Sequence, residues 1–106
     1  MSELFTLTAG DTVPSLQAVL RDEQGEAIDL TDASVEFHLR EPRGGDTLVD
    51  EPADVVDAES GLVRYRWHVD DTEVAGRYRA EFVVTYDTGD TETFPNDGFH
   101  DVVIKP

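Results

Sequence analysis

The triplet Asp87-Thr88-Gly89 is the segment with the most specific chemical potential, because it matches the catalytic triplet of aspartic proteases. Those enzymes bring together two such carboxylates that share one proton. Only residues 90–106 follow the triplet, which is too little chain for the rest of that fold. An Asp-Thr-Gly-Asp sequence between two strand-like segments instead predicts an ordinary hairpin turn. The triplet therefore does not predict a protease.

The serine and histidine residues form no recognisable catalytic group either. No serine lies in a Gly-x-Ser-x-Gly elbow, and His38, His68 and His100 are far apart in the sequence. His38 and His68 both point outward by strand alternation, and they would supply half of a metal site if their strands paired. Solvated surface histidines are the simpler interpretation. We therefore expect no enzyme activity, no bound metal and no other cofactor.

Two groups of carboxylates, Asp70-Asp71-Glu73 and Asp29 with Asp32, could bind calcium, which takes roughly six to eight oxygen ligands. The chain lacks an Asp-x-Asp-x-Asp-Gly loop, and such groups arise by chance among 24 acidic residues. A calcium-binding or carbohydrate-binding adhesion module is therefore the alternative from a different class of function.

The charge balance restricts the partners of the protein. The chain has 24 acidic and 8 basic residues, which gives a formal net charge of −16. A field of that sign repels phosphate backbones and anionic lipids, so we expect neither nucleic acid nor a membrane as partner. Lys105 is the single lysine. Because the Debye length falls to roughly 3 Å in molar salt, surplus acidic charge is tolerated best there. The composition predicts a halophilic host.

The length of 106 residues predicts a single domain, residues 1–106. The chain has no cysteine, which excludes disulfides and thiolate metal sites. No apolar run approaches the ~18 residues of a membrane span, and residues 1–10 lack the features of a signal peptide. We expect synthesis in the host cytoplasm.

Four segments alternate apolar and polar residues with a period of two, which is typical of half-buried strands. They are residues 15–21, 34–40, 62–69 and 77–86. In the segments 62–69 and 77–86, the apolar residues predicted to point into the core include Val69 and Tyr86 respectively. Weaker strand signals cover residues 4–8, 47–49, 91–94 and 99–105, and a short piece at Val55 and Val56.

Sequences rich in Gly, Pro, Asp and Asn separate these segments and predict turns. No stretch of ten or more residues has helical periodicity, and at most residues 70–74 form one helical turn. The pattern predicts an all-β fold, an immunoglobulin-like antiparallel β-sandwich of about seven to nine strands.

Half of the positive charge lies on two consecutive predicted strands. It is carried by Arg64, Arg66, Arg77 and Arg79. These arginines form one patch if the two strands are hairpin neighbours, and two separate pairs if the strands belong to different sheets. They could dock an acidic partner, or they could pair within the sheet with outward acids such as Glu36 or Glu81.

Three apolar residues, Val19, Leu62 and Val83, also point outward by alternation. Single exposed apolar residues are common, although an interface can include them. The candidate protein interface therefore consists of Arg64, Arg66, Arg77, Arg79, Val19 and Val83.

Short motifs follow one another over nearly the whole chain. They are Ala9-Gly10-Asp11-Thr12, Ile28-Asp29-Leu30-Thr31-Asp32-Ala33, Val35-Glu36-Phe37, Gly61-Leu62-Val63-Arg64-Tyr65, Trp67, the segment 75–82 and Phe94-Pro95-Asn96-Asp97-Gly98. In this order they resemble the small β-sandwich modules of tailed-virus tail and baseplate proteins. That group includes the N-terminal domain of siphophage baseplate upper proteins and related lower tail-fibre modules.

The motif residues have structural jobs and include no catalytic residue. Asp29, Thr31 and Asp32 can close a loop through side-chain to backbone hydrogen bonds. Gly76 permits a tight start of its strand, and the Tyr78 hydroxyl can reach a nearby loop. The full structural set is Asp29, Thr31, Trp67, Gly76, Tyr78, Phe82, Phe94, Pro95 and Gly98.

The resemblance implies a structural protein of a virion that binds other virion proteins and copies of itself. We expect multiple copies in the tail or baseplate, the host-adhesion apparatus of a tailed virus of a halophile, where contact with the host surface also occurs. A head decoration protein or a head-to-tail neck protein is the alternative position. The resemblance covers the sandwich and not the C-terminal part that follows it in baseplate upper proteins, so it leaves the position open.

Overall fold

The structure is a computed structural model that describes residues 4–22, 24–41, 47–94 and 100–106. Its strands are β1 (Leu4–Thr8), β2 (Leu16–Val19), β3 (Ser34–Arg40), β4 (Thr47–Asp57), β5 (Leu62–Tyr65), β6 (Gly76–Thr85), β7 (Thr91–Phe94) and β8 (His100–Lys105). One 3-10 helix, η1 (Val69–Thr72), lies between β5 and β6. None of the helical structure in the described ranges has the length and apolar character of a bilayer span.

The strands form two layers that share β4. Sheet A has the order β1-β8-β6-β3-β4, with β7 pairing β6 as well, and sheet B has the order β4-β5-β2. Residues 47–53 of β4 pair with β3, whereas residues 54–57 pair with β5, so β4 passes from one layer to the other. This topology confirms the predicted all-β sandwich.

The strand pairs are antiparallel with one exception. β1 and β8 run parallel, with Leu4 opposite Asp101 and Thr8 opposite Lys105. The two strands lie far apart in the sequence, so no hairpin fixes their relative direction. The predicted antiparallel arrangement holds for the other strand pairs, and the β1–β8 pair departs from it.

The core lies between the two layers, and its centre is aromatic. Phe37 of β3 stacks on Tyr65 of β5 with ring centroids 4.2 Å apart. Trp67 meets these two rings edge-on at 5.5 and 5.4 Å, and Phe82 of β6 packs against Phe37 at 5.4 Å. Each buried ring stabilises the fold by about 1.5–3 kcal/mol through loss of apolar surface to water. Rings from both sheets therefore hold the layers together.

Strand β4 is longer than the sequence predicts. The signals at residues 47–49 and around Val55 belong to one strand of 11 residues, so the prediction of two separate pieces is wrong. Pro52 lies between them, and proline has no N–H for a sheet ladder. Pro52 pairs with Glu36 of β3, and pairing with β5 begins only at Asp54. The missing N–H therefore falls where β4 has a partner on one side only.

The predicted strand over residues 62–69 ends early. β5 stops at Tyr65, and Val69 begins η1 with 56% of its surface exposed. The inward position predicted for Val69 is wrong, because the 3-10 turn ends the alternation of a strand. The helical turn predicted at residues 70–74 is present as η1. The buried Thr72 donates its hydroxyl to the Asp11 carbonyl at 2.9 Å, which fixes η1 to the segment after β1.

Two connections depend on particular residues. Gly61 has φ +69°, and a Cβ there would lie 2.8 Å from the carbonyl oxygens of Leu20 and Ile28, so only glycine fits. Asp29 closes its loop by accepting the backbone N–H of Thr31 at 2.9 Å and its hydroxyl at 2.6 Å. Two of the Gly- and Pro-containing sequences that predict turns, Pro42-Arg43-Gly44-Gly45 and Pro95-Asn96-Asp97-Gly98, lie outside the described residues.

Candidate protein-interaction faces

The four arginines of the predicted interface divide between the two layers. Arg64 lies on β5 and Arg66 directly after it, whereas Arg77 and Arg79 lie on β6. β5 pairs with β2 and β4, and β6 pairs with β3, β7 and β8. The strands are therefore not hairpin neighbours, and the second of the two arrangements left open by the sequence is the one that forms.

The outer surface of sheet B combines arginine with apolar side chains. We call the set Val19, Val56, Leu62, Arg64 and Arg66 the sheet-B face. Val19 lies opposite Leu62 in the register, and Val19 and Val56 are 39% and 45% exposed. Val56 lies two residues after Asp54, the register partner of Arg64, so alternation places it on the same side of the sheet. The β4 register then shifts between Val55 and Asp57.

Both arginines of the sheet-B face approach the same carboxylate. Asp54 Oδ2 lies 3.6 Å from Arg64 Nη2 and 3.7 Å from Arg66 Nε. The Arg66 side chain is 69% exposed, and exposed ion pairs contribute at most about 1 kcal/mol. A partner that offers its own carboxylates can therefore compete with Asp54 at little cost.

The outer surface of sheet A carries the other predicted residues. Arg77 is exposed, and no carboxylate of the described ranges forms an ion pair with it. Arg79 is half-buried, between Asp101 of β8 and Arg40 of β3 in the register. Val83 is half-buried on the same strand. The structure therefore separates Arg77, Arg79 and Val83 from the sheet-B face.

The centre of sheet A's outer surface is polar. His38 Nε2 lies 3.0 Å from Asp50 Oδ1 and 3.8 Å from Glu36 Oε2. Arg40 Nε lies 3.0 Å from Glu81 Oε1, so Glu81 pairs within the sheet as one prediction allowed, although with Arg40. β4 lies between β3 and β5. Consequently the strand of His38 does not pair with the segment that leads to His68.

Two tyrosine hydroxyls, those of Tyr65 and Tyr86, donate hydrogen bonds to carboxylates. Tyr65 donates to Asp71 Oδ2 at 2.5 Å, and burial, reinforced by Asp71 and Glu51, raises the Tyr65 pKa above its usual range. Tyr86 donates to Glu92 Oε1 at 2.8 Å, and burial followed by this bond raises its pKa to about 12. Both hydroxyls stay protonated at neutral pH, so neither can act as a base.

A cavity of about 220 Å³ opens at one end of the sandwich. It is lined by Leu39, Leu48, Val49, Asp70, Asp71, Val74 and Tyr78. Its volume is below the roughly 300–1,000 Å³ of most ligand pockets. The Tyr78 hydroxyl already donates to the Val74 carbonyl at 2.8 Å. The lining contains no nucleophile beside a base, so the cavity offers no catalytic geometry.

The residues predicted as structural motifs lie in loops and in the core. Trp67, Phe82 and Phe94 are buried, and Tyr78 is 9% exposed. Gly76 begins β6, where a Cβ would come 3.3 Å from the Tyr78 hydroxyl. Pro95 and Gly98 lie outside the described residues.

One carboxylate in each of the two groups considered for calcium already accepts hydrogen bonds within the chain. The hydrogen bonds from Thr31 lower the pKa of Asp29, and Asp71 accepts both the Tyr65 hydroxyl and the His68 N–H, the latter at 2.9 Å. Within the described ranges, the one group of metal-ligating side chains is Glu36, His38 and Asp50. Alternation alone could not reveal it, because it needs the register between β3 and β4.

The described residues form a small β-sandwich with two outward faces, and a fold of this kind does not by itself define a function. The chain belongs to the BppU N-terminal domain family, since the model of this family matches residues 2–100. BppU is the baseplate upper protein. The resemblance to baseplate modules is thereby confirmed. No curated protein matches the chain in sequence.

Two solved structures share the fold over almost the entire chain. The N-terminal domain of phage TP901-1 ORF48 has 17% identity and a TM-score of 0.67, covering 100% of this chain and 90% of that one. CopC from Methylosinus trichosporium OB3b has 13% identity and a TM-score of 0.54, covering 99% and 86% of the two chains. At these identities the similarity shows the fold alone.

Proposed function

We propose that the protein is a non-enzymatic structural component of the tail or baseplate of a tailed virus. Membership of the BppU N-terminal domain family over residues 2–100 carries this proposal. The similar fold of a phage protein's N-terminal domain supports it. The protein acts by recognition, through contacts with other virion proteins and with copies of itself.

The sheet-B face is the surface we assign to these contacts. Protein interfaces combine an apolar centre with arginine, and this face places Val19, Val56 and Leu62 beside two arginines. β2 pairs only with β5 among the described strands, so its second edge is open for a partner strand. In a chain of net charge −16, Arg64 and Arg66 allow an acidic neighbour, including a second copy, to approach.

The acidic composition leads us to propose a halophilic host for the virus. Surplus charge of −16 opposes a compact chain when salt does not screen it. We expect the melting temperature of the protein to rise steeply between low and molar sodium chloride. Thermal melts monitored by circular dichroism test this, with sucrose at matched water activity as control. A melting temperature independent of salt would contradict the halophilic assignment and leave the virion role untouched.

The position in the particle is tested by quantitative mass spectrometry of purified virions separated into heads and tails. Recovery with tails at a few to some tens of copies supports the proposed role. Recovery with heads at hundreds of copies would assign the protein to head decoration, and a few copies at the head-to-tail joint would assign it to the neck. Absence from virions would overturn the structural role.

A further inference from the structure

We propose that Glu36, His38 and Asp50 form a binding site for a divalent transition-metal ion, with zinc as the probe. The site lies on the outer surface of sheet A and joins β3 to β4. It is independent of the virion role, and it departs from the sequence expectation that the protein binds no metal.

The sheet itself positions the three side chains. Glu36 and His38 are two residues apart on β3, so they point to the same side of the sheet. Asp50 of β4 is the register partner of His38. β3 is an interior strand of sheet A, flanked by β6 and β4 along its length, so its backbone is held on both sides. The ligands are therefore placed by the fold before any ion arrives.

The separations of the ligand atoms match a tetrahedral ion. Zinc binds imidazole nitrogen and carboxylate oxygen at about 2.0–2.2 Å, which puts neighbouring ligand atoms about 3.3 Å apart. His38 Nε2 is 3.0 Å from Asp50 Oδ1 and 3.8 Å from Glu36 Oε2, and the three ligand atoms lie within 4.8 Å of one another. To enclose the ion, rotation of the two carboxylates would have to shorten the longer separations.

The state of the His38 ring points to a missing ligand. The side chain is only 17% exposed, and neither ring nitrogen has a hydrogen bond of acceptable geometry within the described part of the chain. The contact with Asp50 is therefore close in distance but poorly directed for a hydrogen bond. A metal ion on Nε2 would satisfy this nitrogen and would neutralise the two carboxylates beside it.

The surroundings favour entry of a cation and select its class. Glu36 and Asp50 are 53% and 60% exposed, which leaves room for water in the remaining coordination position. Glu81, on the other side of His38, is held by Arg40 and stays outside the ligand set. One imidazole with two carboxylates suits zinc and its first-row neighbours, whereas calcium and magnesium prefer oxygen ligands throughout.

Bound zinc would connect β3 and β4 and stabilise the folded state, because the unfolded chain does not preform the site. The test measures the melting temperature of the full chain with and without zinc chloride. Both samples contain excess magnesium chloride, so that weak carboxylate sites are already occupied by magnesium. We expect a rise in melting temperature on the order of 10 °C at a zinc concentration about a hundredfold above the dissociation constant.

Variants identify the site. His38→Gln should abolish the zinc-dependent rise in melting temperature, and His68→Gln should retain it. His68 is the matched control because its Nδ1 also lies near a carboxylate, 4.0 Å from Asp71, at an exposed position. An equal rise in His38→Gln, or no rise in the unsubstituted chain at millimolar zinc, would overturn the proposal.

Two further measurements cover the case in which His38→Gln does not fold. Asp50→Asn changes an exposed side chain and should weaken zinc binding at least tenfold in calorimetric titration. In the unsubstituted chain, zinc should shift the NMR resonances of the His38 imidazole and leave those of His68 in place. Shifts of His68 alone, or unchanged affinity in Asp50→Asn, would contradict the assignment.

Discussion

Tyr65 and Asp71 are joined by a hydrogen bond of 2.5 Å that connects sheet B to η1, with the hydroxyl donating to Oδ2. The same oxygen accepts the backbone N–H of His68 at 2.9 Å. One carboxylate therefore fixes both the ring at the centre of the aromatic core and the chain that leaves β5.

The first prediction concerns this bond. Tyr65→Phe should lower the free energy of unfolding by about 1.5–3 kcal/mol. The Asp71 carboxylate, a charged acceptor, loses its hydroxyl donor, while the packing of the ring is kept. Denaturant unfolding measures the change. A double-mutant cycle with Asp71→Asn isolates the coupling, and strict additivity of the two changes would show that the bond contributes nothing.

A glycine pair tests the turn between β4 and β5. Gly61→Ala should cost more than about 2 kcal/mol, because the new Cβ meets two carbonyl oxygens at 2.8 Å at a φ of +69°. Gly25→Ala is the matched control, since Gly25 has φ +83° with no atom within 4 Å of a Cβ, and it should cost only about 1 kcal/mol. Equal losses would mean that the close approach is not what demands glycine at position 61.

The response to alkaline pH follows from Tyr86. Its pKa is about 12 in the folded protein against an ordinary value of 10.0, so the folded state holds the proton more tightly. The resulting stability is fully present below pH 10 and is lost as pH rises through 12. Tyr86→Phe should therefore lose less stability than the unsubstituted chain between pH 10 and 12, as measured by thermal melts. Identical curves would contradict the assigned shift.

The two outward surfaces make different predictions for assembly. Arg66→Glu and Val19→Glu, on the sheet-B face, should each weaken association with tail proteins at least about tenfold. The first reverses a charge that faces an acidic partner, and the second places a negative charge in an apolar part of the contact. Arg77→Glu is the control, because it makes the same change on an exposed arginine of sheet A. Co-sedimentation with isolated tails measures the effect, and loss with Arg77→Glu alone would move the interface to sheet A.

Much of the fold could be predicted from residues that alternate. β3 and β6 have the predicted bounds to within one residue. In each strand every second residue is apolar and buried, as are Phe37 in β3 and Ala80 and Phe82 in β6. The length of β4 could not be predicted, because Pro52 interrupts the alternation close to the point where the strand passes from one layer to the other. The local sequence does not say that a proline there has a partner on one side only.

The candidate sites were less predictable for a topological reason. Alternation assigns a residue to a face and does not name its neighbours, so it could not decide whether Arg64 and Arg77 share a surface. The proximity of His38 to Asp50 likewise depends on the β3–β4 register, which the turn sequence at residues 42–45 does not specify.

The parallel pairing of β1 with β8 has a mechanical consequence. The chain enters the pair at Leu4, beside Asp101, and leaves it at Lys105, beside Thr8, so these two points lie at opposite ends of the ladder. Tension applied between them acts along the strands and loads every hydrogen bond of the ladder at once, whereas a hairpin pulled from its open end separates one bond at a time. The first and last strands therefore form a shear clamp, whose lifetime under load is governed by the rate of unfolding.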